Sequence, residues 1–417
     1  MFDFYSVETI KKKQLQKFRN LFNYAKVHSK FYHNLYKEAG VYDLEINDYE
    51  DIKKIPIINK ADLRKATSEK ILTLKQDDPS LNIRFTSGST GEPFKIYMKK
   101  IEEYTGHIRL TYTYFKRGYN PFKKIALLSR YEPSHKFEIE KDLSILTKLQ
   151  KTFGLFRRYN LSIYDPLDKI IEQVQDIKPF LLVSTPGILT MLANKLNELN
   201  LNLNIPLVLL TSETVSDNQV KLFKNTVGRK FIDVYGCMEC PSIAYEFDYN
   251  GKKKIFLNSS LMEITEQQKD QKILYKPIIT NLIHYAMPVI RYDVGDYLEE
   301  PIIQDKMPIT EIGRILGRID DTIELSNGKF LAHHHAHEMF INFIECEQWK
   351  FIKKRDENIK LQLKISKENE VNKEEIRDKA LYIWKKRYPD QDLLIEFVDF
   401  FEVDKISGKF KNIENIK

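Results

Sequence analysis

KPFLLVSTPGILTMLANKLNELNLNLNIPLVLLTSETVSDNQVKLFKNTVGRKFIDVYG, residues 178–236, decides the fold class of this 417-residue chain. Three apolar runs of strand length, FLLVST (180–185), LVLLTSE (207–213) and FIDVYG (231–236), alternate with amphipathic stretches that read as helices over 189–200 and 217–225. Strands that are apolar on both sides and separated by helices predict a largely parallel sheet covered on both faces. IALLSR at 125–130 adds a fourth strand of the same kind.

Upstream, residues 1–60 read as helical, with Leu15, Phe18, Leu21, Phe22 and Ala25 at helical spacing and Pro56 as a stop. Downstream of Ile255 the spacing shortens. KILYKPIITNL (272–282) and HYAMPVIRYDVGDYLEE (284–300) have strand character without intervening helices, which suggests an antiparallel element. GRILGRIDD (313–321) has the Gly-punctuated, charged makeup of a linker. Beyond it IKLQLKIS (359–366) and LLIEFVDF (393–400) read as strands around a helix at 373–387. The expected architecture is α/β: a large N-terminal domain of mixed sheets covered by helices, 1–317, and a small mobile α+β C-terminal domain, 318–417.

Composition excludes several classes. With 42% hydrophobic and 30% charged residues, disorder is not the dominant state. Lys and Arg number 66 against 59 Asp and Glu, and a charge of +7 spread over the chain in short, separated runs does not suit nucleic acid. Three cysteines, Cys237, Cys240 and Cys346, cannot build a disulfide framework, so a reducing, cytoplasmic setting is expected. The N-terminus does not read as a signal peptide. The longest apolar stretch, 180–193, is interrupted by Ser184, Thr185, Pro186, Gly187 and Thr190 and falls short of the ~20 residues of a membrane span.

The densest chemical signal is RFTSGSTGEPFKIY (84–97), in which Thr86, Ser87, Gly88, Ser89, Thr90 and Gly91 precede Glu92 and Pro93. Glycines open the backbone to conformations closed to other residues, and clustered N–H groups with hydroxyls can wrap a phosphate. A hairpin turn is the plain alternative. No GK[ST] follows and no G-x-G-x-x-G spacing occurs, which disfavours the NTPase loop and the dinucleotide fold.

TSGSTGEP (86–93) resembles the phosphate loop of the adenylate-forming superfamily of acyl-CoA synthetases, peptide-synthetase adenylation domains and luciferases. With IPIINKADLRK (55–65) it is similar to the phenylacetate-CoA ligase family and its CapK-like branch, found in capsular and surface polysaccharide gene clusters. Further resemblances follow in order: KPFLLVSTPGILTMLA (178–193), LLTSETVS (209–216), DVYGCMECPSIAYE (233–246), HYAMPVIRYDVGDYLE (284–299), GRILGRIDDTIEL (313–325) and DKISGKFKN (404–412).

The resemblance implies adenylation of a carboxylic acid by ATP with Mg²⁺, releasing pyrophosphate, then transfer of the acyl group to coenzyme A or another nucleophile on a sugar or a protein. A non-catalytic binding relative is the alternative from another class. It implies that Lys409 bridges the carboxylate and the α-phosphate, as a flexible ammonium can. Glu239, after the strand FIDVYG, would serve catalysis and hold Mg²⁺ on the phosphates. Thr86, Ser87, Gly88, Ser89, Thr90 and Gly91 would grip phosphate; Ser212 and Glu213 would border the adenine; Asp233, Tyr235 and Gly236 would face the nucleotide. Asp296 would accept the ribose hydroxyls, Arg318 would donate to the sugar or phosphates, and Asp320 would be the hinge that brings Lys409 in. The acyl pocket would lie between the 185–189 turn, the 235–242 segment and the aromatic-rich 112–119 region.

Two other groupings carry less. Cys237 and Cys240 form a C-x-x-C with no second pair to complete a structural zinc site. His333, His334, His335 and His337 could bind a metal or contact an acceptor, with a solvated loop as the plain reading. No G-x-S-x-G elbow supports a serine hydrolase.

Overall fold

The parallel sheet is present where the apolar runs place it. In a computed structural model of the chain, the described residues are 6–66, 68–85, 94–129, 152–269, 272–298, 307–318, 323–325, 330–331, 336, 339, 346–354, 357–365, 372–401 and 413–416. They divide into two compact units, Met1–Lys100 with Leu257–Lys417, and Ile101–Phe256.

In the second unit, strands Arg158–Ser162, Ile125–Ser129, Leu181–Ser184, Leu207–Thr211 and Phe231–Tyr235 lie side by side in that order, all parallel. Ala244–Phe247 and then Lys253–Ile255 continue the sheet antiparallel. Alternate residues serve opposite faces: Val208 and Leu210 pack with Leu182, Phe223 and Phe231, whereas Leu207 and Leu209 pack with Leu181, Ile232 and Tyr119. That is why the runs are apolar throughout. Helices Leu167–Ile177, Pro186–Glu198 and Asp217–Thr226 connect the strands. Pro186–Glu198 starts three residues before the expected 189, because Pro186 at the first helical position has no N–H to leave unpaired. Asp217–Thr226 starts where expected, fixed by a capping box in which Ser216 Oγ accepts from Gln219 N–H at 3.3 Å and Gln219 Oε1 accepts from Ser216 N–H at 3.0 Å.

In the first unit the N-terminal residues form helices, as expected, but in pieces. Val7–His28 buries Leu15, Phe18, Leu21, Phe22 and Ala25, and Lys30–Glu38, Tyr49–Lys53 and Lys60–Lys65 follow. The helical tract does not stop at Pro56: Asn59 caps the last of these helices. Strands Leu81–Phe85 and Lys95–Lys99 pair antiparallel, Phe85 opposite Lys95, on either side of the Ser/Gly-rich loop. An antiparallel sheet orders Ser260–Lys269, Lys272–Asn281, Asp296–Leu298 and Ile315–Arg318.

Two local expectations change here. Residues 284–291 are not strand, and only Tyr292–Asp293 and Asp296–Leu298 of that segment pair. Within GRILGRIDD, read as linker, Ile315–Arg318 is a paired strand: Gly317, at φ +95°, lies opposite Tyr297 where the register shifts, so the glycine accommodates an irregular ladder instead of breaking it.

At the C-terminal end, strands Leu393–Phe397, Ile359–Ile365, Cys346–Lys354 and Ile413–Ile416 form one sheet with an antiparallel centre and parallel flanks. Helix Lys373–Arg387 crosses between its parallel neighbours and inserts Ile376, Ala380 and Trp384 into a cluster with Trp349, Phe351 and Leu361. The elements expected at 359–366, 373–387 and 393–400 are therefore all present.

Candidate active site

The parallel strands end together. Ser184 is level with Leu210 and Thr211 with Val234, so the segments after Ser184, Thr211 and Tyr235 emerge at one carboxyl edge, where open α/β sheets hold ligands. Ser212, exposed and at φ +75°, and Glu213 follow the second of these strands. The Glu213 carboxylate accepts the Gly187 N–H at 2.8 Å, at the N-terminus of Pro186–Glu198, where a negative charge is favoured. A Cβ at residue 187 would come 3.0 Å from that oxygen, so glycine brings the two segments together.

Tyr235 ends its strand and Gly236 begins a tight return. Cys237 N–H donates to the Cys240 carbonyl at 3.2 Å, and Ile243 N–H donates to the Tyr235 carbonyl at 2.8 Å. Any side chain at residue 236 would put Cβ 2.6 Å from the Ser242 nitrogen, so the loop closes only around glycine. Glu239 stands inside this loop at 4% exposure. Its charge helps to push the Cys237 thiol well above the ordinary range, after the side-chain hydrogen bond to Cys240 and burial. Both thiols are free, and the Cys237 thiol is held protonated. Among the described residues no three His, Cys, Asp or Glu side chains gather as a metal site. One carboxylate still suits Mg²⁺, which commonly takes one or two protein carboxylates and fills its shell from substrate phosphates and water.

Asp233 is differently placed. It is buried opposite Glu246 on the neighbouring strand, and both carboxylates meet the buried Lys253 ammonium, Glu246 at 2.7 Å. Burial pushes the Asp233 carboxyl up against the pull of Lys253. The two anions raise Lys253 despite its burial. Asp233 is thus committed to an internal ion cluster beneath the edge.

In the first unit, Asp296 follows Gly295, whose φ of +80° turns the chain and whose N–H donates to Asp293 Oδ1 at 2.8 Å. Asp296 is the direct cross-strand partner of Arg318, so two residues expected to hold one sugar share a rung. Arg291, within the stretch 284–299 that also carries Asp296, had no assigned role in the sequence reading. It is buried, doubly bonded to Glu263 at 2.9 Å for each oxygen, and donates to the Lys53 carbonyl at 2.7 Å, so it anchors the turn. Thr86, Ser87, Gly88, Ser89, Thr90, Gly91, Asp320, Lys409 and the four histidines His333, His334, His335 and His337 lie outside the described residues.

Sequence reasoning also missed Lys253 and Arg109. Lys253 sits in a KKK run that reads as solvated, and Arg109 on helix Lys100–Lys116 carries no local motif.

No family model matches the chain. It is 24% identical over 435 residues to Protein CapK of Staphylococcus aureus, covering 97% of this chain and 89% of that protein. It is 21% identical over 333 residues to phenylacetate-coenzyme A ligase of Pseudomonas putida, covering 76% and 72%. Among solved structures it resembles a 2-hydroxyisobutyryl-CoA ligase in the postadenylation state with R3-HIB-AMP, at TM-score 0.76 and 14% identity, over 99% of this chain and 90% of that one. Among the described residues no helix is long and apolar enough to cross a membrane. In sequence the chain is thus similar to CapK and to phenylacetate-coenzyme A ligase, and its fold is that of a 2-hydroxyisobutyryl-CoA ligase.

Proposed function

We propose that the chain is an ATP-dependent ligase that adenylates a carboxylic acid. A carboxylate oxygen attacks the α-phosphorus of ATP, the bond to the β-phosphate oxygen breaks, and acyl-AMP and pyrophosphate form. An acceptor nucleophile then attacks the acyl carbon and AMP leaves. The observation that carries this reading is the carboxyl edge of the parallel sheet, where the Glu213 and Tyr235–Gly236 segments emerge from adjacent strands with Glu239 just beyond.

The Ser/Gly-rich loop from Thr86 to Gly91 is assigned to the phosphates, supported by the paired strands that flank it. Ser212, Glu213, Tyr235 and Gly236 take the nucleotide's base side, and Asp233 supports them from below. Glu239 would hold Mg²⁺, which when bound neutralises phosphate charge. Asp296 and Arg318 take the ribose, supported by their shared rung. Lys409 supplies the cation that offsets charge building at phosphorus. It arrives with a C-terminal domain, 318–417, that turns about Asp320. The apolar cluster within 323–413 supports a core of its own for that region.

Coenzyme A is the favoured acceptor, given the name of the ligase relative, with a sugar or protein nucleophile as the variant; a cytoplasmic role in surface-polysaccharide synthesis is part of the proposal and draws its support from the CapK likeness. Acid-dependent exchange of labelled pyrophosphate into ATP tests the first half. Exchange that depends on acid and Mg²⁺ supports it, and no exchange across aryl, fatty and sugar-derived acids refutes it. Labelled acid with coenzyme A or with cell extract separates a small thioester from a labelled macromolecule.

A further inference from the structure

Among the described residues, Arg109 is a charged group beside the carboxyl edge that the proposed reaction leaves unused. It lies on helix Lys100–Lys116 and reaches the Gly236–Ser242 return, where Nη2 donates to the Pro241 carbonyl at 3.4 Å. Its Nε and Nη1 are buried and, among the described residues, have no hydrogen-bond partner. Burial lowers the guanidinium to about 10, with the Cys240 thiol acting in the opposite direction, so the group is still charged at neutral pH. A partly buried cation whose innermost donors stand idle is unfavourable unless an anion meets it.

Resting on the adenylation reading, we infer that Arg109 binds a second acidic group of the substrate, so that the acid adenylated is a dicarboxylate or similarly dianionic. The charge history of the reaction selects this partner. The reacting carboxylate becomes a neutral acyl carbonyl, and the phosphates leave as pyrophosphate and AMP. The α-phosphate keeps its charge until AMP leaves but is already assigned to Lys409, so the anion left for Arg109 through both half-reactions is one carried by the acyl group. Guanidinium is suited to carboxylate geometry, and Tyr112, one turn along the same helix, is a candidate for the carbon skeleton.

The test compares matched pairs in pyrophosphate exchange: succinate with butyrate, glutarate with valerate, and terephthalate with 4-methylbenzoate. Wild type is expected to favour at least one dianion over its partner by tenfold or more in kcat/KM. Arg109→Met is expected to lower that ratio at least tenfold, and Arg109→Lys to retain part of it. Calorimetric binding of the same pairs reads the site without chemistry and does not depend on the Met variant folding. Tighter dianion binding with no exchange by any acid keeps the Arg109 site and sinks adenylation. Exchange in which the singly charged acids equal or exceed their partners overturns the Arg109 site and leaves adenylation standing. Failure of wild type to bind any dianion more tightly than its partner overturns it as well.

Discussion

Among the described residues Lys253 is the cation that meets two buried carboxylates, Asp233 on the strand that ends at Tyr235 and Glu246 on its neighbour. Removing it leaves two anions without a counter-charge in a desolvated place. Lys253→Met should therefore cost about 3–5 kcal/mol in unfolding by denaturant, and adding Asp233→Asn and Glu246→Gln should recover much of the loss. The pH sign follows from the raised ammonium. Its stabilisation is complete below the ordinary lysine range and disappears as pH rises through the higher folded value, so the wild-type advantage over Lys253→Met should shrink in alkali. It should shrink in acid as well, where protonation of the raised Asp233 carboxyl removes an uncompensated anion from the variant. Gly236 acts by shape instead. Gly236→Ala forces Cβ to within 2.6 Å of the Ser242 nitrogen, so the loop must open. Pyrophosphate exchange should drop at least tenfold, with a smaller effect on melting. None of this was legible from local pattern, because the cluster exists only through the Asp233–Glu246 register and a lysine run in a sequence resembles any solvated face.

At the level of elements, the apolar runs announced the parallel sheet because burial on both faces leaves no polar alternation to mislead. The C-terminal helix 373–387 was legible to the residue: Asn372 accepts the Glu374 N–H, and Lys385, Lys386 and Arg387 close the last turn. Where partners come from distant chain, the reading failed. Ile315–Arg318 looked like linker because its strand character is supplied by Asp296–Leu298 across the sheet, with Gly317 adapting to the shifted register. That same rung gives a prediction. If Asp296 accepts the ribose hydroxyls, Asp296→Asn should raise the KM for ATP about 10-fold or more, from the loss of charge-assisted hydrogen bonds, while leaving the KM for the acid nearly unchanged. An equal rise in both would make Asp296 a structural residue of the turn.

For the molecule as a whole, the central proposal is a lysine delivered from the C-terminal domain to a nucleotide held elsewhere. Among the described residues, the apolar cluster of that region draws on residues between Ile323 and Ile413. A chain ended at residue 322, which keeps the strand Ile315–Arg318, should therefore remain folded by circular dichroism and still bind ATP, yet catalyse no exchange. The most direct measurement is exchange of pyrophosphate into ATP by Lys409→Ala beside wild type, with consumption of pre-formed acyl-adenylate followed in parallel. The account predicts a loss of exchange of roughly 100- to 1000-fold, as for removal of a group that stabilises transition-state charge, with acyl transfer from the adenylate retained. Wild-type exchange that survives Lys409→Ala undiminished would contradict it.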